Sequence, residues 1–340
     1  MSEPSQNTRV AVIGAGSWGT ALANLLAAKG YDITLWARDW RLVQRMRRDG
    51  ENGAYLPGVP LHPRITATAD LTEAASSTAI FISVVPSHAV RPVWGRLAAR
   101  LPTSALIVSA TKGIEASSLS TMSQVLQATL TARQGMDIAV LSGPTFAREV
   151  SHGTPTAAVA AASSRAVAET VQQLFSTATL RVYTNTDVLG VELGGALKNV
   201  MAIAAGVCDG LDLGYNTRAA LITRGLAEMT QLGVAMGATA HTFAGLSGMG
   251  DLVLTCTGHL SRNYAVGVQL GQGKKMPEIL SQMHMVAEGV TTASAAVALG
   301  ERYHVEMPIA EKVHVLLQGH IAPHAAVTEL MQRTLKHEDR

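Results

Sequence analysis

The segment VAVIGAGSWGTALANLLAAKG, residues 10–30, restricts the possible folds more than any other part of the chain. Its Gly14, Gly16 and Gly19 have GxGxxG spacing, directly after an apolar run and at the start of a helical pattern. In such a turn the first glycine allows the tight bend, the second lets a pyrophosphate approach the backbone, and the third lets helix and strand pack closely. The free N–H groups of the helix N-terminus then favour an anion. The segment therefore predicts a strand–turn–helix unit that binds a dinucleotide.

Short apolar runs separated by helical patterns continue through the first half of the chain. Continuous runs of this kind, bounded by turn residues, are typical of strands buried on both faces of a parallel sheet. The intervening segments 117–130 and 164–175 have helical spacing, so the pattern indicates a repeated strand–helix–strand unit. The predicted strands are Arg9–Ile13, Ile33–Ala37, Ala79–Val85, Ala105–Ser109, Ile138–Leu141, Thr156–Ala161 and Leu180–Tyr183.

The pattern changes near residue 188, where helical segments replace the strand-like runs. We predict helices over 188–206, 217–236, 261–272, 290–300 and 308–318. The fold class is therefore α/β, with an N-terminal Rossmann-type parallel sheet domain followed by a mainly α-helical C-terminal domain. We place the dinucleotide-binding domain at residues 1–187 and the helical substrate-binding domain at residues 188–340.

Composition narrows the classes of function. Of the 340 residues, 47% are hydrophobic and 15% charged, which is typical of a globular protein with a substantial core. The net charge of +2 and the dispersed basic residues argue against a nucleic-acid partner.

The two cysteines, Cys208 and Cys256, suit a reducing cytosol. Since the N-terminus has no apolar leader and no run of 18 apolar residues occurs, we expect a cytoplasmic protein without a membrane span. Histidines and cysteines lack paired metal-ligand spacing, so we predict no metal site.

The end of the second predicted strand bears on which dinucleotide is bound. Sites specific for NAD usually carry an acidic residue there, about 20 residues past the glycines, which holds the ribose 2′-hydroxyl. This chain has Arg38 first, followed by Asp39. Because an arginine can pair with a 2′-phosphate, we predict NADP as the preferred cofactor, with NAD also possible.

Three further segments carry polar side chains that could act on a small substrate. Lys112 follows the strand at 105–109, and Gly143 and Thr145 follow the strand at 138–141. Ligands of open α/β sheets bind at these carboxyl ends of strands. In the second half, Gly245, Gly248 and Gly250 predict a flexible loop that ends at Asp251. Ser261, Arg262 and Asn263 lie at a predicted helix N-terminus suited to a phosphate.

A lysine also lies inside the helix VELGGALKNVMAIAAG, residues 191–206. Leu193, Leu197, Val200 and Met201 form an apolar stripe that predicts packing in the core. Lys198 lies off that stripe, next to Gly194, Gly195 and Ala202 in the helix surface. Since these small residues leave little side-chain volume, we expect substrate or nicotinamide to approach Lys198 there.

Six ordered motifs resemble those of the bacterial-type NAD(P)-dependent glycerol-3-phosphate dehydrogenase family. They are GAGSWGTALA, SATKGIE, LSGPTFAREV, VELGGALKNVMAIAAG, SGMGDLVLTCTG and SRNYAVG, and the likeness extends from residue 10 to about residue 317. The resemblance implies a homodimer that reduces dihydroxyacetone phosphate with NAD(P)H and supplies glycerol 3-phosphate for phospholipid synthesis.

The resemblance also implies roles for individual residues. Lys198 would be the proton acceptor and donor. The residues that would contact the cofactor are Ser17, Trp18, Arg38, Tyr55, Lys112, Ala147, Arg262, Val286 and Glu288, besides the three glycines. Those that would surround glycerol 3-phosphate are Lys112, Gly143, Thr145, Lys198, Asp251, Ser261, Arg262 and Asn263.

The chemistry of these side chains agrees with reduction of a carbonyl group. A lysine can supply a proton to the developing alkoxide, and we expect burial and the cations Lys112 and Arg262 to favour its neutral form. Lys112 would polarise the carbonyl or hold the phosphate, and Asp251 would orient either Lys198 or a substrate hydroxyl. Two alternatives remain open: another Rossmann dehydrogenase acting on a 3-hydroxy acid or ketopantoate, and a catalytically silent NADP(H) sensor.

Overall fold

The computed structural model describes residues 8–130, 136–283, 286–335 and 337–338. The chain forms two compact units. The first consists of Met1–Glu115 and Ser120–Glu192, and the second of Ala116–Leu119 and Leu193–Arg340.

The first unit is built on an eight-stranded sheet. Its strands are β1 (Arg9–Ile13), β2 (Asp32–Trp36), β3 (Ile65–Thr68), β4 (Ile80–Ser83), β5 (Leu106–Ser109), β8 (Asp137–Ser142), β9 (Thr156–Ala161) and β10 (Leu180–Asn185). Their order across the sheet is β10-β9-β8-β5-β4-β1-β2-β3. A separate two-stranded hairpin pairs β6 (Ile114–Glu115) with β7 (Ser120–Thr121). The chain changes direction across the sheet between β1 and β4, which is where ligands of such sheets bind.

Helices cover the sheet and contribute to two apolar clusters, one containing Leu22, Leu26 and Phe175 and the other containing Trp94 and Leu97. These helices are α1 (Ser17–Ala28), α2 (Trp40–Asp49), α3 (Leu71–Ala75), α4 (Val90–Leu97), α5 (Met122–Thr129), α6 (Ala147–Ser151) and α7 (Arg165–Phe175). The predicted α/β architecture is therefore confirmed. Each predicted strand is present, with ends that differ by at most three residues.

The sheet is not parallel throughout, in contrast to our prediction. β9 runs antiparallel to β8, and β10 runs parallel to β9. The connection from β8 to β9 contains only the five-residue helix α6, whereas a return to the other end of the sheet normally uses a longer crossover helix. The chain therefore re-enters the sheet from the end at which β8 leaves it.

The second unit is helical, as predicted. Most of α8 (Val188–Gly210) belongs to it, followed by α9 (Gly214–Ala235), α10 (Ala240–Phe243), a π-helical turn (Leu246–Gly250), α11 (Asp251–Thr257), α12 (Arg262–Gly271), α13 (Met276–Ser281), α14 (Glu288–Tyr303), α15 (Pro308–Leu317) and α16 (Pro323–Met331). The segment 245–250, which we expected to be a flexible loop, is helical from Leu246 and continues directly into α11.

Helix α8 is long and apolar enough to cross a membrane by its length and composition alone. However, 89% of its most apolar window is buried inside the protein. Gly206 and Gly210 allow this burial, because a Cβ at either position would lie 2.1 Å or 2.3 Å from a backbone oxygen of α12. The α12 glycines Gly267 and Gly271 meet α8 in the same way. Helix α8 therefore has the packing of a core helix.

A buried carboxylate fixes the start of α15 in the second unit. Glu228 of α9 accepts hydrogen bonds from the backbone N–H groups of Ile309, at 2.8 Å, and Ala310, at 3.4 Å. Burial raises the pKa of Glu228 to about 7, although these two bonds and Arg333 act in the opposite direction. The protonated form of Glu228 is therefore favoured in the folded protein relative to the unfolded chain.

We expect this carboxyl group to make stability depend on pH. Because its pKa rises on folding, its contribution is fully present below about pH 4.5 and is lost as the pH rises through about 7. The shift corresponds to about 3 kcal/mol. Urea denaturation at pH 5 and pH 8 should show a larger loss of unfolding free energy for the wild type than for Glu228→Gln. Equal losses in the two proteins would show that Glu228 does not titrate in this way.

Candidate active site

The glycine-rich turn between β1 and α1 has a geometry that only small residues permit. Gly14 has φ +126°, and a Cβ on it would lie 2.7 Å from the backbone of Val84. A Cβ on Gly19 would lie 1.9 Å from the carbonyl oxygen of Gly14, so this glycine lets α1 pack on the turn. Gly16 differs from both, because a Cβ there would meet nothing within 4 Å. The face of the turn at Gly16 is therefore open.

The residues that follow the turn lie in a small apolar cluster. Trp18 and Ala147 both pack against Leu56 and its neighbours. The Ser17 hydroxyl donates to the carbonyl oxygen of Tyr55 at 2.6 Å. The indole N–H of Trp18 is buried and has no hydrogen-bond partner among the described residues. An open backbone face beside a buried donor without a protein acceptor fits the pyrophosphate and sugar oxygens of a dinucleotide.

Arg38 and Asp39 have different surroundings at the end of β2. Arg38 has an exposed side chain. The Asp39 carboxylate caps α2 and accepts the backbone N–H of Arg41 at 2.9 Å. Asp39 is therefore used within the protein, while the guanidinium of Arg38 faces solvent.

Lys112, Gly143 and Thr145 are brought together at the ends of the neighbouring strands β5 and β8. The Lys112 ammonium donates to the carbonyl oxygen of Gly143 at 2.8 Å, and the Thr145 hydroxyl donates to the same oxygen at 3.1 Å. Gly143 has φ +137°, and a Cβ on it would lie 3.0 Å from Ala158. The sequence indicated this grouping, since both segments follow strands of one sheet.

In the second unit, Lys198 is the centre of a buried polar cluster. Its ammonium forms an ion pair with the Asp251 carboxylate and donates to the Thr255 hydroxyl at 2.7 Å. The relative exposures are 6% for Lys198, 1% for Asp251 and 3% for Thr255. The Thr255 hydroxyl donates to the Asp251 carbonyl oxygen at 2.6 Å, so its lone pairs face the ammonium. Two side chains of α11 therefore set the direction of the Lys198 amine.

The arrangement answers one of two expectations about this lysine. Of the two partners that the sequence left open for Asp251, the structure places Lys198 against it. The expectation that nearby cations favour the neutral amine of Lys198 stays a prediction.

The contact of Thr255 with Lys198 was not predicted, since the sequence placed the Thr255 hydroxyl among groups suited to binding a phosphate. Asp251 and Thr255 are four residues apart in α11, which places them on the same face of the helix. That spacing is a usable signal only when the segment is recognised as helical. Thr257, the last residue of α11, does not join this cluster. Its exposed hydroxyl donates to the carbonyl oxygen of Val253.

Gly194, one of the small residues next to Lys198, has a different role from the one we expected. A Cβ on Gly194 would lie 2.6 Å from the carbonyl oxygen of Ser247, so this glycine admits the π-helical turn that leads to Asp251. Gly195 is buried and Ala202 has an exposure of 0%. The approach of substrate or nicotinamide to Lys198 stays a prediction.

The N-termini of α12 and α14 meet at Asn263. Ser261 caps α12 by accepting the backbone N–H of Tyr264 at 3.2 Å. Asn263 accepts the N–H of Gly289 at 2.9 Å and donates to the side chain of Asn199 at 2.8 Å. Asn263, expected to contact substrate, thus also joins the helix of Lys198 to the start of α14. A Cβ on Gly289 would lie 2.5 Å from the Asn199 carbonyl oxygen, so the contact is close.

Arg262, Glu288 and Val286 lie beside this junction. Arg262 and Glu288 are the first residues of α12 and α14. The Arg262 side chain is exposed, yet desolvation by nearby protein lowers the pKa of its guanidinium, and Glu288 acts in the opposite direction. Val286 is 38% exposed. A cation at a helix N-terminus is a suitable group for binding a phosphate.

Comparison with known families covers nearly the whole chain. The family described as NAD-dependent glycerol-3-phosphate dehydrogenase N-terminus matches residues 9–168, and its C-terminus counterpart matches residues 187–328. The chain belongs to the NAD-dependent glycerol-3-phosphate dehydrogenase family. The resemblance seen in the six motifs is therefore confirmed.

Individual members of this family are similar over their full length. "Glycerol-3-phosphate dehydrogenase [NAD(P)+]" of Citrifermentans bemidjiense is 57% identical over 330 residues, covering 97% of this chain and 98% of the relative. The protein of the same description from Geobacter sulfurreducens has the same identity and coverage. A crystal structure of glycerol-3-phosphate dehydrogenase from Coxiella burnetii has a TM-score of 0.93 and 38% identity, covering 97% of this chain and all of that one.

A ketopantoate reductase from Ralstonia eutropha bears on one of the alternatives. It has a TM-score of 0.60 and 17% identity, covering 94% of this chain. Identity this low shows a shared fold alone. The family membership thus favours glycerol-3-phosphate dehydrogenase over the ketopantoate alternative.

Proposed function

We propose that this chain transfers hydride reversibly between NAD(P)H and dihydroxyacetone phosphate, giving sn-glycerol 3-phosphate. The observation that carries the proposal is the buried cluster of Lys198, Asp251 and Thr255, in a chain whose 57%-identical relatives are described as glycerol-3-phosphate dehydrogenases. We further propose residues 1–187 as the dinucleotide-binding domain and residues 188–340 as the substrate-binding domain.

The cluster is proposed to supply the proton of the reaction. When bound, the nicotinamide supplies the hydride. Lys198 donates its proton to the substrate oxygen as negative charge develops there. Asp251 keeps the amine charged before the reaction and, with Thr255, sets its direction. In glycerol 3-phosphate oxidation the same nitrogen accepts the proton.

The remaining polar groups are proposed to bind ligands. In the first unit, Gly14, Gly16, Ser17, Trp18, Gly19, Tyr55 and Ala147 hold the dinucleotide. Lys112, Gly143 and Thr145 contact the substrate, and Lys112 also contacts the cofactor. In the second unit, Ser261 and Arg262 bind the phosphate at the N-terminus of α12. Asn263 contacts substrate, Arg262 also contacts the cofactor, and Val286 and Glu288 close over the cofactor.

The substrate test compares phosphorylated and carboxylated ketones. Oxidation of NADPH is followed by its absorbance, with dihydroxyacetone phosphate, ketopantoate or a 3-keto acid as acceptor. We expect dihydroxyacetone phosphate to be the preferred acceptor by kcat/KM. Turnover of a keto acid without turnover of dihydroxyacetone phosphate would replace the proposed activity by that of the alternative dehydrogenase.

A silent NADP(H) sensor is disfavoured by the energetics of the cluster. Desolvating a lysine and an aspartate is expensive, and apolar residues of similar volume often stabilise a core equally well. The dinucleotide turn lies in the first unit, whereas this ion pair lies in the second. A sensor has no use for such a pair, whereas in the proposed reaction Asp251 orients the proton donor.

Arg38 is proposed to make NADPH the preferred cofactor by pairing with its 2′-phosphate. Arg38→Ala should raise KM for NADPH about tenfold, as expected for a lost charge-assisted hydrogen bond, and leave KM for NADH unchanged. Arg45→Ala is the control, because Arg45 is an exposed arginine of α2. Equal effects of Arg38→Ala on the KM for NADPH and the KM for NADH would show that Arg38 does not act by pairing with the 2′-phosphate.

The assembly and the cellular role are also proposals. Family resemblance favours a homodimer in the cytoplasm that supplies glycerol 3-phosphate for glycerophospholipid synthesis. Light scattering on the purified protein would test the dimer, since a monomer mass at micromolar concentration contradicts it.

A further inference from the structure

The side chain of Asn52 contacts the glycine-rich turn from a distant part of the sequence. Asn52 has an exposure of 0%. Its amide nitrogen donates to the carbonyl oxygen of Ala15 at 2.9 Å and to the hydroxyl of Thr20 at 2.7 Å. Ala15 lies between Gly14 and Gly16 in the turn, and Thr20 lies in the first turns of α1. One buried amide therefore joins the turn to the helix that follows it.

The bond to Ala15 determines the orientation of a donor at Gly16. The carbonyl oxygen of Ala15 and the N–H of Gly16 belong to the same planar peptide group. In a trans peptide these two groups point in opposite directions, and the described residues contain no cis peptide bond. Because Asn52 holds the oxygen on the protein side, the Gly16 N–H points away from Asn52. A Cβ on Gly16 would meet nothing within 4 Å, so the protein leaves space beside this residue.

The segment that carries Asn52 is itself fastened along α1. We call residues 51–62 the strap. Tyr55 in the strap accepts the hydroxyl of Ser17 at 2.6 Å. Farther along α1, Asn24 donates to the carbonyl oxygen of Pro60 at 3.0 Å and accepts the N–H of His62 at 2.9 Å. The strap therefore contacts the first residue and the second half of α1, and Asn52 approaches the turn from a fixed backbone.

We propose that Asn52 is a positioning residue for the pyrophosphate of the dinucleotide. It acts through Ala15, by holding the peptide group in the orientation that presents the Gly16 N–H to an anion. A turn oriented before binding does not have to be ordered by the ligand, which improves affinity. The inference rests on the proposed function in one respect, namely that the dinucleotide pyrophosphate lies on this turn.

The test measures binding of two probes by titration calorimetry. NADPH contains the pyrophosphate, whereas adenosine 2′-monophosphate lacks it. Asn52→Leu removes both donated hydrogen bonds at similar volume. We expect Kd for NADPH to rise about tenfold, the scale of one lost hydrogen bond, while Kd for adenosine 2′-monophosphate stays within about twofold. Unchanged Kd for NADPH, or an equal rise for both probes, would overturn the proposal.

Two further variants separate a positioning role from a general effect on the strap. Asn24→Ala is the matched control, because it removes strap contacts with α1 but leaves Ala15 untouched, and it should bind NADPH like the wild type. A tenfold weaker binding by Asn24→Ala would contradict the role of Asn52, since any loosening of the strap would then suffice.

Asn52→Asp keeps the shape of the side chain. It therefore tests the proposal even if the Asn52→Leu variant does not fold. Its carboxylate cannot donate to Ala15, but the protonated carboxyl group can. We therefore expect the ratio of its Kd for NADPH to the wild-type Kd at the same pH to fall toward one as the pH is lowered. A ratio independent of pH would overturn the proposal. Failure of the wild type to bind NADPH would instead contradict the proposed function.

Discussion

Replacing Asp251 by valine is expected to lower the free energy of unfolding by about 3–5 kcal/mol. The variant leaves the ammonium of Lys198 buried without its carboxylate, and Lys198 has an exposure of only 6%. An uncompensated buried charge costs far more than the small change in side-chain volume. Urea denaturation followed by far-ultraviolet circular dichroism, at pH 7 and constant protein concentration, measures the loss.

The double variant Lys198→Met/Asp251→Val should recover most of this stability. It removes both charges together, and apolar replacements of a buried ion pair are often neutral or stabilising. The Thr255 hydroxyl keeps a partner, since it donates to the backbone carbonyl oxygen of residue 251. Thr257→Val, an exposed change on the same helix, is the control and should be neutral. An Asp251→Val variant as stable as the wild type would contradict the expected cost of removing the Asp251 carboxylate from Lys198.

Replacing Lys198 by methionine is expected to lower kcat at least ~10²-fold, the usual scale of a general acid contribution. Methionine has a similar length but no proton to donate, so the alkoxide would have to be protonated from water. The double variant should show the same loss while remaining folded, which separates catalysis from stability. Steady-state reduction of dihydroxyacetone phosphate by NADPH provides the measurement.

Lys275→Met is the control for this effect, because Lys275 is an exposed lysine of the same unit. It should retain wild-type kcat. The silent-sensor alternative requires full function of the Lys198→Met variant in whatever the protein does. Wild-type turnover by that variant would therefore remove Lys198 from the reaction.

Much of the first unit could be predicted because its signals are local. Buried strands of a parallel sheet are continuous apolar runs, and those beginning at Arg9 and Thr156 have the predicted ends. The edge strand Ile65–Thr68 was missed, since its sequence ITAT is not a continuous apolar run. The direction of β9 also could not be predicted. It depends on which end of the sheet the chain re-enters, and no apolar run contains that information.

The candidate site divides in the same way between local and distant contacts. Gly14 has a positive φ and Gly19 meets the carbonyl oxygen of Gly14. These requirements lie within the turn, so the spacing indicated them, although Gly14 also packs against the distant residue Val84. Gly194 was misinterpreted because its neighbour is the backbone of Ser247, more than 50 residues away in sequence. Asn52 carries no local signal for the same reason, since Ala15 lies 37 positions away.

The segment from Gly245 to Thr257 shows how a local pattern can mislead. Three glycines in six residues are typical of a loop, yet Leu246–Gly250 forms a π-helical turn. A Cβ on Gly248 would lie 2.1 Å from the carbonyl oxygen of Phe243. Gly248 therefore serves close packing rather than flexibility. If the helical character of residues 251–257 had been recognised in the sequence, the four-residue spacing would have placed Thr255 beside Asp251.

The most direct test of the account is the rate of hydride transfer itself in Lys198→Met. Steady-state turnover can be limited by product release, whereas a single turnover in stopped flow, with enzyme in excess over NADPH and saturating dihydroxyacetone phosphate, follows the chemical step. The account predicts a rate at least ~10²-fold below that of the wild type, with Kd for NADPH unchanged. A single-turnover rate within about tenfold of the wild type would contradict the assignment of Lys198 as the proton donor.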